Sequence, residues 1–292
     1  MLSSEKYYKE GVNYHKESKY KEAVESFNKA IKLDNTTSKY YSARGRAKNG
    51  LRQYEEAKKD AERALELDKN NAESYLVFGN INLDLNKYFE AIKDYDKAIE
   101  LDPNYSYTYN NRGIAKDDLK QYFEAIKDFD KAIDLNPNDS DAYNNRGIAK
   151  DNLGQYEEAI KDYDKAIELD PNYSDAYNNR GISKEKLGQY EEAIKDYDKA
   201  IELDPDYRNA YYNRGIAKDN LGQYYEAIKD YDKAIELDPN YSYAYNNRGA
   251  AKGNLGQYKD ALKDYKKALK LDPNDEYARE NIQNIQNQYG LR

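Results

Sequence analysis

The chain of 292 residues has no cysteine, no tryptophan and one histidine, His15. Without cysteine there is no disulfide and no thiolate metal site. One histidine cannot build a zinc site of several imidazoles, and any nucleophile–histidine–acid triad would have to run through His15. His15 itself reads as a solvated surface residue beside Lys16 and Lys19. No metal and no cofactor is expected. Long apolar runs are missing as well: none approaches the roughly 20 residues of a membrane-spanning helix. Met1 to Lys6 lack the apolar core of a secretory signal. These two absences set the expectations of no membrane insertion and a cytoplasmic location. Basic residues do not dominate either, since 47 Lys and Arg face 55 Asp and Glu for a net charge of −8. A nucleic-acid partner, which needs phosphates neutralised, is therefore not expected.

What the chain has in quantity is tyrosine, 34 residues, within a composition that is 35% charged. Disordered chains are poor in aromatics, so this one can bury a core of Tyr, Ile, Leu and Ala. The six prolines, Pro103, Pro137, Pro171, Pro205, Pro239 and Pro273, are spaced 34 residues apart. That ruler divides the chain into eight repeats: 4–37, 38–71, 72–105, 106–139, 140–173, 174–207, 208–241 and 242–275. Residues 276–292 remain as a cap, with Ala278, Ile282, Ile285 and Tyr289 on one apolar face. The fifth and seventh repeats differ only where Ser140, Asp141, Asn144 and Glu157 are replaced by Arg208, Asn209, Tyr212 and Tyr225.

Each repeat reads as two helices. In the fifth, Ser140 is expected to cap the first and Gly154 to close it in the left-handed conformation. Glu157 and Glu158 suit the first turn of the second. Ala159, Ile160, Tyr163, Ala166 and Ile167 form its apolar stripe, Glu157 and Lys161 an i,i+4 pair. Pro171 ends the repeat. Counting positions within the repeat, position 8 is always Gly (Gly11 to Gly249), and positions 20 and 27 are always Ala. Position 17 is always Tyr (Tyr20 to Tyr258), the expected partner for the gap above each glycine. A glycine inside a helix costs about 1 kcal/mol against alanine, so its eightfold use points to close backbone approach.

The pattern resembles the tetratricopeptide repeat family, which has the same length. Its aromatic–x2–Leu–Gly–x2–Tyr, Ala–x3–aromatic and Pro signature stands here as Tyr143, Arg146, Gly147, Lys150, Ala159, Tyr163 and Pro171. Trp is replaced by Tyr throughout. Arg takes the Leu place in repeats four to eight and Lys the following Tyr place. Arg112, Arg146, Arg180, Arg214 and Arg248 are expected to lay their stems on tyrosines, with Asp128, Asp162, Asp196 and Asp230 pairing their heads. The resemblance implies an all-α fold, an α-solenoid: a single right-handed superhelix of stacked hairpins whose concave groove is lined by the first helix of each repeat.

On that groove the resemblance places positions 2, 5, 6, 9, 12 and 13. Position 6 is Asn111, Asn145, Asn179, Asn213 and Asn247. Position 5 is Asn110, Asn144, Asn178 and Asn246. Position 9 carries Ile114, Ile148, Ile182 and Ile216; position 12 carries Asp117, Asp151, Glu185 and Asp219. Asparagine is a mediocre helix former, but its amide both donates and accepts. Within the family an asparagine ladder at the matching position holds a peptide by its backbone. The resemblance thus implies a scaffold that binds an extended peptide or a helix of a partner protein in the groove, and the acids favour a segment with Lys or Arg. Copying of one repeat by duplication would also put asparagine in register, and both readings stand at this point. The carboxylate clamp that other members use for chaperone tails is missing, with Tyr8 and Val12 at its first places. Catalysis is not expected, because the acids recur repeat after repeat while a reaction needs one asymmetric place. Self-assembly through repeat faces is the alternative function.

Overall fold

The computed structural model describes residues 3–290, with the side chain of Tyr289 outside the described residues. The described residues are helical, without a strand. The first four repeats give the hairpins α1 (Ser4–Lys16) with α2 (Tyr20–Leu33), α3 (Ser38–Gly50) with α4 (Tyr54–Leu67), α5 (Ala72–Asp84) with α6 (Tyr88–Leu101), and α7 (Ser106–Asp118) with α8 (Tyr122–Leu135). The last four give α9 (Ser140–Asn152) and α10 (Tyr156–Leu169), α11 (Ser174–Lys186) and α12 (Tyr190–Leu203), α13 (Arg208–Asn220) and α14 (Tyr224–Leu237), and α15 (Ser242–Asn254) and α16 (Tyr258–Leu271). The cap is α17 (Glu276–Tyr289). These are the stacked hairpins of the α-solenoid class. Two compact bodies are distinguished, Met1–Ala149 and Lys150–Arg292.

Within each body the packing rule is the same. The constant alanines at positions 20 and 27 are fully buried, as at Ala125 and Ala132 in the N-terminal body and Ala227 and Ala234 in the C-terminal one. The ring above six of the position-8 glycines (Gly11, Gly79, Gly113, Gly181, Gly215 and Gly249) is not the position-17 tyrosine, as the sequence suggested, but the aromatic at position 24. A Cβ on Gly113 would meet the Phe129 ring at 2.6 Å, and one on Gly215 the Tyr231 ring at 2.6 Å. Seven residues, two helical turns, separate positions 17 and 24 on one face, and spacing alone does not say which of them reaches the glycine. The second repeat breaks the rule: position 24 is Ala61, and the atoms nearest to a Cβ on Gly45 would be Ala57 O at 3.0 Å, Asp60 Cβ at 3.4 Å and Val77 Cγ1 at 3.6 Å.

Helix ends follow backbone chemistry. Gly154, Gly188, Gly222 and Gly256 adopt φ of +74° to +76° after their first helices. In the first four repeats the same corner is held by Ser18, Arg52, Asn86 and Lys120 at +56° to +60°, a region that crowds any Cβ. The fifth repeat is capped not by Ser140 but by the preceding Asp139, whose Oδ1 accepts the Ala142 N–H at 3.2 Å. Ser140 is already inside the helix. Glu158, rather than Glu157, pairs with Lys161, at 3.8 Å. In the cap, Ala278 and Ile285 are buried with Ile282 against them, and Asp275 accepts the Ala278 N–H at 2.9 Å. Among the described residues no helix is long and apolar enough to cross a membrane.

Candidate functional site: the first-helix faces

A buried ion-pair column fixes how the first helices that carry Arg at position 7 are turned. At position 7, Arg112 donates Nε and Nη2 to Asp128 at 2.9 and 2.6 Å, and its Nη1 to Asp96 of the preceding repeat at 2.6 Å. Lys116, one turn on, donates to the same Asp128 at 2.6 Å. The C-terminal body repeats this with Arg180, Lys184, Asp196 and Asp164, and again with Arg214, Lys218, Asp230 and Asp198. The guanidinium carbons of Arg112, Arg146, Arg180, Arg214 and Arg248 lie 5.2–5.5 Å from the centroids of Tyr109, Tyr143, Tyr177, Tyr211 and Tyr245. It is thus the guanidinium heads that stand over the tyrosine rings, where the stems were expected, and the aspartate pairing is present at Asp128, Asp196 and Asp230. Burial alone pulls the Arg112 guanidinium down. Its bonds and charge contacts with Asp128 and Asp96 outweigh that and hold it above the ordinary arginine value.

With the helices so turned, the asparagines form a repeat-to-repeat chain. In the N-terminal body Asn145 donates Nδ2 to Asn110 Oδ1 at 3.1 Å, and Asn111 donates to Asn80 Oδ1 at 2.8 Å. In the C-terminal body Asn213 donates to Asn178 Oδ1 at 3.0 Å, and Asn247 to the Tyr212 hydroxyl at 3.1 Å. Asn178 also donates to Asn179 Oδ1 at 3.4 Å, and Asn246 to Asp275. Asn110, Asn144, Asn178 and Asn246, at position 5, are only 4–5% exposed, and Asn111 is 6% exposed. The position-5 amides therefore hold neighbouring first helices together. Asn145, Asn179, Asn213 and Asn247 are half-buried and reach the surface.

The four isoleucines are all half-buried. Ile114 packs on Ala125 and Phe129, Ile182 on Ala193 and Tyr197, and Ile216 on Ala227 and Tyr231; Ile148 is half-buried. The position-12 acids are half-buried too, Asp117 in the N-terminal body and three in the C-terminal one. Asp151 accepts from Ser183 Oγ at 2.8 Å and from the Tyr163 hydroxyl at 2.9 Å. Burial nevertheless pushes its carboxyl up to about 6. Glu185 accepts from the Tyr197 hydroxyl at 3.2 Å and is also raised by burial. Burial raises Asp219, whose Oδ1, like the Tyr231 hydroxyl, is buried with no hydrogen-bond partner.

The N-terminal body holds a feature the repeat pattern conceals. His15 is half-buried rather than freely solvated. Its ring stands edge-on to Tyr20 at 5.3 Å, and burial, then the Arg46 charge, lowers its pKa to about 4. His15, Tyr20, Arg46, Asn49, Asn80 and Tyr107 are among the residues lining a recess of about 280 Å³. Arg46 donates Nη1 to the Tyr105 hydroxyl at 2.6 Å and lies 3.3 Å from Glu73. His15 and Asn49 occupy position 12, Arg46 and Asn80 position 9. The signal for them was their departure from the copied Asp and Ile. Of the tyrosines that close repeats, Tyr105 thus holds Arg46, a residue of this recess. Tyr207 donates to Asp175 Oδ1 at 2.5 Å, and Tyr241 lies under Arg208 at 4.5 Å and beside Tyr212 at 4.9 Å.

Stacked helical hairpins of constant length, each presenting its first helix on a face shared within its body, define a repeat protein of the protein-interaction type. Family models described as Tetratricopeptide repeat match residues 5–37, 38–71, 106–139, 140–173, 174–207, 209–241 and 242–275. One described as TPR repeat matches 79–116. The chain belongs to the tetratricopeptide repeat family. Among solved structures it is similar in fold to the APC/C hetero-tetramer Cut9–Hcn1, at 16% identity and a TM-score of 0.74 over 91% of this chain and 52% of that one. It thus spans about half of that chain. It is 25% identical to YrrB, described as a TPR protein with an unusual peptide-binding site, over 64% of this chain and 96% of that one, with a TM-score of 0.53. It is 26% identical to MamA from Desulfovibrio magneticus RS-1, over 59% of this chain and 97% of that one, with a TM-score of 0.54. No curated protein matches the chain.

Proposed function

We propose that the chain is a binding scaffold whose first-helix faces hold an extended, basic segment of a partner protein. The observation that carries this is the state of the position-6 asparagines. One N–H of Asn145 and one of Asn213 is spent on the preceding repeat, which holds the amide plane still. The carbonyl and the second N–H of the same half-exposed amide are then left for a peptide backbone, which needs one acceptor and one donor. A side chain already immobilised loses less entropy on binding. At about 1 kcal/mol net per hydrogen bond, such amides only offset the roughly 2–5 kcal/mol of ordering a free segment. Charge supplies the remainder: Asp141 in the N-terminal body and Asp175 in the C-terminal one stand at position 2, Asp141 exposed, beside the position-12 acids. YrrB, whose description names a peptide-binding site, supports the reading. Binding, not catalysis, is the proposed role.

A peptide array tests it with the native chain and an Asn145→Ala, Asn179→Ala, Asn213→Ala variant whose helicity is checked by circular dichroism. The proposal expects Lys- and Arg-containing extended peptides to bind the native chain, more weakly at high salt, and the folded variant to lose them. Equal binding by both proteins, or none by either, overturns it.

A second reading rests on Phe89 and Phe123 in the N-terminal body, 70% and 62% exposed, and Tyr225 in the C-terminal one, 62% exposed, all at position 18 of second helices. Such surface favours self-association through the second-helix faces. A monomer by light scattering across concentration removes this reading.

A further inference from the structure

The corner that follows α14 holds an arginine supplied by the chain itself. Arg208, at position 1 of the seventh repeat, donates Nη1 to Asp238 Oδ2 at 2.6 Å. Its guanidinium carbon stands 4.5 Å from the centroid of the Tyr241 ring. Asp238 Oδ1 meanwhile accepts the Asn240 N–H at 3.0 Å. One repeat on, Asp272 is the counterpart of Asp238, and its Oδ1 accepts the Asn274 N–H at 3.0 Å in the same way. Position 1 of that repeat is Ser242, which brings no charge. Asp272 Oδ2, the atom that in Asp238 holds the arginine, takes no hydrogen bond among the described residues and is not closed off from solvent.

The last corner is also lined differently. Position 34 is tyrosine in repeats three, five, six and seven, whereas the eighth has Asp275 there; only the eighth combines aspartate at position 31 with an acid at position 34. Asp272 lines a recess of about 560 Å³, a size in the roughly 300–1,000 Å³ range of ligand sites. Tyr243 and Tyr277, 61% and 54% exposed, line it with Asp275 and Glu276. Among the described residues no Lys or Arg does. Arg279, close by in sequence, donates Nη2 to the Pro273 carbonyl at 2.8 Å. Asp275 adds charge only, since it already accepts from the Ala278 N–H and from Asn246. Asn246 and Asn247, at positions 5 and 6, belong to the same lining, so the recess lies on the first-helix face of the C-terminal body.

We propose that this recess is the subsite for an arginine side chain of the held segment. The guanidinium donates to Asp272 Oδ2 and lies against the exposed tyrosine rings, as Arg208 does on Asp238 and Tyr241. The inference rests on the scaffold reading and deepens it by naming one side chain that the segment carries. Other side chains fit less well. A carboxylate would meet three carboxylates and no cation. An apolar side chain would cover Asp272 Oδ2 without giving it a proton, which is costly. A lysine ammonium reaches the acid, but it is compact, more strongly hydrated and without a plane to lay on a ring. Two exposed tyrosines favour the planar cation.

The first experiment uses ethylguanidinium, ethylammonium and propionate on the full chain, with the Tyr243 and Tyr277 ring resonances followed by NMR. Ethylguanidinium is expected to shift both saturably, ethylammonium several-fold more weakly, and propionate not at all. Asp272→Asn keeps the Oδ1 that accepts the Asn274 N–H, so the corner is preserved. It should weaken ethylguanidinium at least about ten-fold, as the loss of one charged pairing does. Asp170→Asn, the same position of the fifth repeat, should leave binding unchanged. No saturable shift, ethylammonium or propionate binding as tightly, or equal weakening by the two variants overturns the proposal. The second arm takes peptides that bind the chain and replaces each arginine in turn by citrulline, which keeps the shape and removes the charge. One replacement should cost about ten-fold on the native chain and little on Asp272→Asn. Peptides that bind but show no such position overturn this inference and leave the scaffold reading standing. Ethylguanidinium binding at Asp272 without any peptide binding upholds the guanidinium site and removes the scaffold reading.

Discussion

Arg214 and Asp230 meet edge to edge across one hairpin, Nε to Oδ2 at 3.0 Å and Nη2 to Oδ1 at 2.6 Å. Bidentate guanidinium–carboxylate pairs are among the strongest and most directional hydrogen-bonded contacts. Lys218 adds a third bond to the same aspartate at 2.7 Å, and Asp230 is 4% exposed. Removing the acid leaves two cations facing each other beneath the surface. Asp230→Ala is expected to cost about 3–5 kcal/mol. Replacing Arg214, Lys218 and Asp230 together by methionine should cost far less, because the one partner then left behind, Asp198, is exposed to water. Stacked repeats need not unfold in one step. The measurement is therefore hydrogen exchange of the α13–α14 amides alongside urea unfolding.

The glycine–aromatic contact predicts a contrast between repeats. Gly215→Ala drives a methyl to 2.6 Å from the Tyr231 ring and should cost about 1–3 kcal/mol through overpacking. Gly45→Ala meets no ring among its three nearest atoms but the Ala57 carbonyl at 3.0 Å, a lesser overlap that the gain of about 1 kcal/mol in helix propensity partly offsets. It should cost less than Gly215→Ala. Urea midpoints of the two variants measured side by side check the difference.

The corners after α1, α3, α5 and α7 carry strain that the later repeats avoid. Lys120 adopts φ +60° where Gly154 holds the corresponding corner of the next repeat. Lys120→Gly is expected to stabilise the N-terminal body by about 1 kcal/mol by relieving the left-handed penalty. A thermal or urea midpoint unchanged or lowered by this substitution contradicts the account.

Two groups titrate in opposite senses. His15 falls to about 4 in the folded chain, below its ordinary value near 6.5, so between those values the unfolded chain binds more protons. Its contribution to stability is present above about pH 6.5 and is lost as pH falls toward 4. Asp151 rises to about 6, above the ordinary carboxylate value of about 3.9. Its contribution is greatest below about pH 4 and is lost as pH rises through about 6. NMR titration of the His15 ring and the Asp151 carboxyl should give midpoints near 4 and 6. Binding of a basic segment beside Asp151 should weaken between about pH 7 and 5, as that carboxylate takes up its proton.

Much of this fold is legible in the sequence because a 34-residue period, with a constant glycine at position 8 and constant alanines at positions 20 and 27, leaves few alternatives. The arginine–tyrosine and arginine–aspartate contacts follow from residue chemistry at fixed offsets. The asparagine column was harder to read. Whether Asn144 and Asn178 face a ligand or the next helix depends on how closely first helices stack, and no spacing within one repeat encodes that distance. The same holds for the ring above Gly215, since positions 17 and 24 both offer a tyrosine. His15, Arg46 and Asn49 were hidden for another reason: they lie where the repeats stop agreeing, so periodicity says nothing of their surroundings.

The central claim is that a partner segment lies on the first helices, and NMR mapping of a bound Lys-rich peptide tests it most directly. The account predicts shifts at the side-chain amides of Asn145, Asn179 and Asn213 and none at Phe89, Phe123 or Tyr225. Shifts confined to those second-helix aromatics, with the asparagine amides unmoved, would contradict it.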